Sequence, residues 1–254
     1  MPMLKKQEKF HNWYKAFIQM MMSKGMMKGE EVYSGVKSIC DTFKDFRDFP
    51  KMDTKDPEDV ADMIDEMMEA ANKNLEPLRL RISKILEEAN SGSQESPKYS
   101  QYYVLSPDPA YDNDQLAKLQ KHYGEPELEW LKLVATHLVE NTEEKVENQT
   151  KLINLTLEGG NNSSKRKMTV LEAGSALEMF TEAGYLMKVK QGARNQSVKY
   201  GLGPRFMVEM EQWLRLTFEE DVWECGKCQK VGMIGKLSCD DKPFLKINFH
   251  FFQE

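Results

Sequence analysis

Cysteine is scarce in this sequence. There are four, and three of them, Cys225, Cys228 and Cys239, fall within the single stretch ECGKCQKVGMIGKLSCDD that begins at Glu224. Long apolar runs are missing as well: no segment approaches the roughly eighteen apolar residues that a membrane-spanning helix needs. The N-terminus also lacks the basic, then apolar, then small-residue order of a secretory signal. These absences predict a soluble intracellular protein with no membrane partner. In such a reducing setting clustered thiols serve as metal ligands rather than disulfides. The N-x-S/T matches at Asn148, Asn154, Asn162 and Asn195 are then chance.

The common catalytic signatures are absent too. There is no G-x-S-x-G elbow, no P-loop, no H-E-x-x-H and no dinucleotide fingerprint. His11, His122 and His137 stand singly in helical context without a nameable partner, so no catalytic residue is assigned.

What is present describes a globular chain. Its 254 residues, 40% hydrophobic and 10% aromatic, suffice for two compact domains and a small appendix. The net charge of -6 excludes a surface that grips nucleic acid all over, but the charge is unevenly spread. Asp53 to Asn72 holds eight acids and one base, whereas Lys145 to Arg205 holds ten bases and five acids. The two regions face different partners, or each other.

Periodicity lays out the elements. Phe10, Trp13, Tyr14, Phe17, Ile18 and Met21 form one helical stripe that Gly25 ends. A second helix fits Gly29 to Phe43, with Val32, Val36, Ile39 and Cys40 inward. A third starts at Asp56-Pro57 with acids in its first turn and runs to about Asn72. Leu78, Leu80 and Ile82 then alternate with polar residues as a half-buried strand would, and YSQYYVL is the returning strand. Three helices and a hairpin make a winged helix.

The same grammar follows a second time. A helix at Pro126 to Asn141 precedes the short apolar segment KLINLTL and the basic loop EGGNNSSKRK. Next comes a helix capped by Thr169 and Glu172 and closed by Gly184, then a hairpin around QGARNQ. A last helix from Pro204 buries Phe206, Met210, Trp213 and Leu214 and leads into the cysteine stretch. The expected fold is mainly α with small β-wings (α+β): tandem winged-helix domains over 1–110 and 111–222, followed by a zinc segment over 223–254.

Three groups of residues are candidates for binding. Cys225-x2-Cys228 is a knuckle that brings two thiolates to one tetrahedral metal, and Cys239 and His250 complete a count of four. The alternative is that Cys225 and Cys228 need ligands missing from this chain. Lys165, Arg166 and Lys167 precede the capped helix while Lys188, Lys190, Arg194 and Lys199 lie on or near the second wing, positions suited to weak, non-specific contact with duplex DNA or to a solvated face. The capped helix offers Glu172, Ser175 and Glu178 outward, which do not read base edges well. Seventeen methionines, including the runs Met20, Met21, Met22 and Met67, Met68, fit adaptable core and partner-interface filler.

Two stretches carry a family resemblance. HNWYKAFIQMMMSKGMMKGEEV resembles, through His11, Gln19, Met22 and Gly25, the opening helix of the RING-type subunit (non-SMC element one) of the structural-maintenance-of-chromosomes five/six complex. GPRFMVEMEQWLRLTF followed by ECGKC resembles that family's helix-into-RING junction, most specifically over Glu209, Met210, Glu211 and Gln212. The resemblance implies a nuclear, chromatin-associated protein that binds a MAGE-type winged-helix subunit and the kleisin subunit in a complex acting on duplex DNA in recombination-linked repair. It also implies membership of a family of RING-type ubiquitin ligases, with a ubiquitin-conjugating enzyme as partner and two zinc ions on eight ligands.

The sequence departs from that pattern after Cys239. Lys242 stands where the next cysteine is expected, the expected histidine falls near Ile247, and no final C-x-x-C occurs. The RING-like segment is therefore partial and degenerate, with one zinc ion at most, and the ligase activity of this chain alone is placed behind a role as an interaction subunit. A winged-helix DNA regulator unrelated to the family is the third reading.

Overall fold

The structure, a computed structural model, describes residues 11–89, 98–108, 122–140, 145–158, 168–191, 197–218, 223–224, 231–232, 238–239 and 242–243. It is mainly helical with small antiparallel sheets. The chain divides into two compact units, Met1–Lys84 with Gln101–Asp108 and Ile85–Ser100 with Pro109–Glu254. Each has its own hydrophobic core.

The first unit opens with α1 (Asn12–Lys24), whose Trp13, Phe17 and Met21 fall four residues apart and turn one sealed face inward. Gly25, at φ 70, ends the helix by donating its N–H to Met21 O. The strand β1 (Met26–Lys28) follows at once, then α2 (Gly29–Phe43), which buries Val32, Val36 and Cys40. The Met20 sulfur lies so close to Gly35 that a Cβ there would meet it at 2.3 Å, so α1 and α2 approach over a bare backbone.

Asp56 caps α3 (Pro57–Leu75) by accepting from Glu58 N, with Pro57 at the first helical position. Asn72 then binds α3 to the sheet: its amide nitrogen donates to Ile82 O at 3.1 Å and its oxygen accepts from Ile82 N at 2.7 Å. The sheet has the order β1-β3-β2, with β2 at Leu80–Ala89 and β3 at Lys98–Pro107. Strands β1 and β3 are antiparallel in the register Met26↔Val104, Met27↔Tyr103 and Lys28↔Tyr102.

The second unit repeats the order: α4 (Glu125–Glu140), β4 (Val146–Asn148), α5 (Gln149–Glu158), α6 (Val170–Glu182), β5 (Leu186–Gln191) and β6 (Ser197–Leu202). Its sheet has the matching arrangement β4-β6-β5. Thr169 and Glu172 cap α6 reciprocally, Glu172 N donating to Thr169 Oγ1 at 3.2 Å and Thr169 N to Glu172 Oε2 at 2.8 Å. Trp130 Nε1 donates to Leu152 O and joins α4 to α5. Glu147 of β4 accepts from Asn148 N, Lys151 Nζ and His137 Nε2. Burial pushes its carboxyl up, but these donors outweigh burial and hold it below its ordinary value.

Five sequence expectations need correction. Leu78 belongs to a 3-10 turn (Glu76–Leu78) and is 65% exposed; α3 runs on to Leu75, and Arg79 at φ 56 starts a strand that begins only at Leu80. KLINLTL is not simply an apolar segment but most of α5, because Leu152, Leu155 and Thr156 are buried at helical spacing. The last helix is two, α7 (Pro204–Glu209) and α8 (Glu211–Thr217), broken where Met210 leaves helical geometry at φ -110 and ψ 13. The three-residue strands β1 and β4 were not expected at all. Finally, Met21 and Met67 are core residues rather than interface ones, since neighbours on a helix point about 100° apart and only one of three consecutive methionines can face fully inward.

Two outcomes follow for stability in urea. Met21→Ala lowers unfolding free energy by about 2–4 kcal/mol, while Met22→Ala, at a side chain 58% exposed, changes it by less than about 0.5 kcal/mol. Equal effects would refute the assignment of Met21 to the core. Glu147→Gln destabilises at neutral pH, and because the folded pKa is depressed, its deficit relative to the parent shrinks as pH falls through and below 4.5. A deficit that persists unchanged in acid would remove the charge from the explanation.

Candidate functional site

The sequence directs attention to the place where the second unit hands the chain to the cysteine stretch. That place is built on two glycines. Gly184, at φ 82, closes α6, and Gly203 passes so near that a Cβ on it would lie 2.3 Å from Gly184 O. Backbone bonds fix the approach: Gly203 N donates to Tyr185 O at 2.8 Å and Arg205 N to Gly184 O at 3.1 Å. Only a residue without a side chain fits there.

The approach assembles a polar cluster under α7. The Tyr185 hydroxyl donates to Glu209 Oε2 at 2.6 Å, Arg205 Nε donates to Glu209 Oε1 at 2.6 Å, and the Arg205 guanidinium lies 5.0 Å from the centre of the Tyr185 ring. Tyr123 packs edge-on against Tyr185, and Phe180 backs both rings. Burial first, and then the Glu209 charge, raise the Tyr185 phenol far above its ordinary range. Burial works against the Arg205 charge, but Glu209 and Tyr185 outweigh it and hold the guanidinium protonated. Both shifts favour the protonated forms, so the phenol and the guanidinium serve here as hydrogen-bond donors to Glu209. The cluster is a clamp, satisfying both carboxylate oxygens and orienting α7.

Beyond α8 the backbone forms two short antiparallel pairs. Strands β7 (Trp223–Glu224) and β8 (Val231–Gly232) pair as Trp223↔Gly232 and Glu224↔Val231, flanking the segment 225–230 that contains Cys225 and Cys228. Strand β9 (Ser238–Cys239) pairs with β10 (Lys242–Pro243), placing Cys239 opposite Lys242. Cys225, Cys228 and His250 themselves lie outside the described residues. Among the described residues no group of three His, Cys, Asp or Glu side chains is placed to hold a metal ion. The remaining cysteine, Cys40, is buried in the first core, and burial pushes its thiol up to about 11, the behaviour of a packing residue.

The basic candidates are distributed as follows. Lys165, Arg166, Lys167 and Arg194 lie outside the described residues. Lys188 and Lys190 are on β5 and Lys199 on β6; Lys188 is exposed and pairs with Tyr200, Lys199 is half-buried and pairs with Val189. Since side chains alternate along a strand, Lys188 and Lys199 occupy opposite faces of the hairpin. Of the methionines, Met20 and Met68 are half-buried and Met22 is exposed.

Sequence reasoning missed the clamp, whose tyrosine and glutamate are 24 residues apart, and missed Leu171, 82% exposed on α6. Only the specificity of the Glu209 segment hinted at the former.

Comparison with known proteins adds a frame. The family described as "Nse1 non-SMC component of SMC5-6 complex" matches residues 14–210. A protein of Xenopus laevis named "Non-structural maintenance of chromosomes element 1 homolog" is 23% identical over 230 residues, covering 91% of this chain and 72% of that one. Its namesake from Xenopus tropicalis is 23% identical over 226 residues, covering 89% and 71%. A solved chain from an "Nse1-Nse3-Nse4 complex" is similar in fold, with a TM-score of 0.64 over 95% of this chain and 89% of its own, at 22% identity.

The clamp yields a graded expectation for equilibrium unfolding. Tyr185→Phe removes one charge-assisted hydrogen bond and costs about 1.5–3 kcal/mol. Gly203→Ala, forced against a backbone carbonyl, costs about 2–3 kcal/mol or more. A Gly203→Ala protein with the parental midpoint would show that the glycine contact is not a real constraint.

Proposed function

The chain belongs to the Nse1 family of non-SMC components of the SMC5-6 complex, and from that premise we propose that it acts as an interaction subunit of such a complex. In this reading both units are winged helices. The observation that carries it is the order helix, strand, helix, helix, strand, strand found twice, each time with the first strand paired to the last. A relative of the same fold occurs in an Nse1-Nse3-Nse4 complex. By extension the partners here are a MAGE-type Nse3 subunit and a kleisin Nse4 subunit, and the protein works in the nucleus, on chromatin, in DNA repair and recombination.

Duplex DNA is engaged through the complex rather than by this chain alone. The supporting feature is the modest basic supply on the second hairpin, Lys188, Lys190 and Lys199, against a net charge of -6 for the whole. Contacts of that kind neutralise phosphates without reading sequence.

The cysteine stretch is read as a structural zinc segment. Pairing of β7 with β8 on either side of Cys225-x2-Cys228 supports a knuckle, and thiolate and imidazole donors suit zinc. Cys225, Cys228, Cys239 and His250 would hold one ion, which when bound cross-links the segment. Ubiquitin-ligase activity is the second reading, favoured by the spacing of Cys225, Cys228 and Cys239. A RING does not attack its substrate; it holds a charged conjugating enzyme in a reactive pose, and that requires the intact cross-braced fold.

Purified protein should co-migrate with the Nse3-type and Nse4-type subunits on size exclusion, and separate elution would sink the interaction reading. Metal analysis should give one zinc per chain, lost in Cys225→Ser while co-migration persists. Two zinc ions per chain, or strong autoubiquitination abolished by Cys225→Ser, would shift the conclusion to the ligase. In the assembled complex, replacing Lys188 and Lys190 with alanine should weaken duplex binding alike for all sequences and reduce the salt slope by about 2.

A further inference from the structure

Thr169 is exposed at the start of α6, and the basic run Lys165, Arg166, Lys167 ends two positions before it. We propose that Thr169 is a phosphorylation site for a serine/threonine kinase that selects basic residues on the N-terminal side of its target. The proposal is independent of the functional reading above.

The residues on either side of the hydroxyl are the first argument. A kinase of this class holds its substrate as an extended strand, with carboxylates that meet an arginine three positions before the target and a second cation beside it, and with an apolar recess for the residue that follows. Arg166 stands three positions before Thr169, with Lys167 and Lys165 on either side of it. The residue that follows is Val170, 48% exposed, and Leu171 after it is 82% exposed, so the apolar side chains that such a recess takes are on the surface rather than in the core. One other arginine, Arg194, has a hydroxyl residue three positions on, Ser197. Asn195 and Gln196 separate that pair, and Ser197 already stands in the ladder of β6, opposite Gln191. Thr169 is the better substrate.

The cap decides how the hydroxyl is reached and what the phosphate changes. Thr169 Oγ1 accepts from Glu172 N at 3.2 Å and donates to Glu172 Oε2 at 3.0 Å. An extended grip on Thr169 and the residues after it requires the first turn of α6 to open, which a helix end does more readily than a helix interior. In the transfer the hydroxyl oxygen bonds the γ-phosphorus of ATP and the bond from that phosphorus to the bridging oxygen breaks. ADP leaves with the electron pair, and the hydroxyl proton goes to the carboxylate base of the kinase. The phosphate carries a charge of about -1.5 to -2 where a neutral hydroxyl faced the Glu172 carboxylate, so Glu172 is driven from the cap and the phosphate oxygens take over the amides of the first turn. The same charge offsets part of the basic excess between Lys145 and Arg205.

The full chain, shown to be folded by circular dichroism, is incubated with ATP, magnesium and the catalytic subunit of the cyclic-AMP-dependent kinase, a probe of this specificity, and the phosphate is located by tandem mass spectrometry. The expected result is phosphate on Thr169, at a rate that Arg166→Ala lowers about tenfold and Ser197→Ala leaves unchanged. Glu172→Ala weakens the cap without touching the basic run and should raise the rate about threefold. In the phosphorylated chain the Glu172 amide resonance should move, because its acceptor changes from a hydroxyl to a phosphate. The proposal is overturned by an unmodified Thr169, by phosphate that enters only after heat unfolding, or by a rate indifferent to Arg166→Ala or to Glu172→Ala. Modification by the acid-selecting casein kinase two in place of the basic-selecting probe would overturn it as well.

Discussion

Each unit is closed by a strand of only three residues. Strand β1 follows Gly25 without a loop, leads into α2 without a loop, and reaches across the sequence to pair Met26 with Val104. The pairing is extended by Leu105 N, which donates to Gly25 O at 2.8 Å. In the second unit Val146 pairs with Gly201 in the same way. So short a strand fixes few hydrogen bonds, but those bonds hold the helices to the hairpin and set its register. A slip of one residue would turn Met27 out of the core and bring Met26 or Lys28 in. Lys199 is placed directly by this pairing, opposite Asn148 of β4, while Lys188 takes its place from the ladder between β5 and β6.

The clamp around Glu209 shows how the second unit stiffens the route to the cysteine stretch. A carboxylate taken out of water is costly unless each oxygen is paired, and Tyr185 and Arg205 meet one oxygen each. The glycine pair makes this possible by letting the backbone before α7 pass directly over the end of α6. The break at Met210 then redirects the chain, so that α8 buries Leu214 and stacks Trp213 edge-on between Phe206 and Phe218.

The helices were legible where spacing and end signals agreed. Gly25, Asp56-Pro57 and the Thr169 box each named a boundary that the backbone respects within a residue. What failed was whatever lacks a period or a local cue. Three residues cannot display alternation, so β1 and β4 left no trace. A short apolar run such as KLINLTL fits a strand or a helix equally well until its neighbours decide. The break at Met210 has no glycine or proline, and the Tyr185–Glu209 bond has no sequence signature. Of the metal candidates the sequence supplied the count and the spacing; the backbone adds the two hairpin pairings around them.

The acidic region of the first unit takes on a different meaning once its partners are known. Sequence alone read it as a surface turned toward something else. In the fold Asp56 caps α3, Asp59 accepts from Asp53 N, Glu66 accepts from Tyr14, Asp65 meets Lys84 and Glu69 meets Lys73. Much of the charge is therefore engaged locally, and what still faces outward is of the wrong sign for a phosphate backbone. The corresponding helix of the second unit, α6, shows Leu171, Ser175 and Glu178 to solvent. Neither third helix carries an arginine, and Asn74, exposed near the end of α3, spends its amide on Ala70 O of the same helix. The outward face of α6 combines the exposed Leu171 with Glu178, and like the acidic face of α3 it offers nothing to a phosphate backbone.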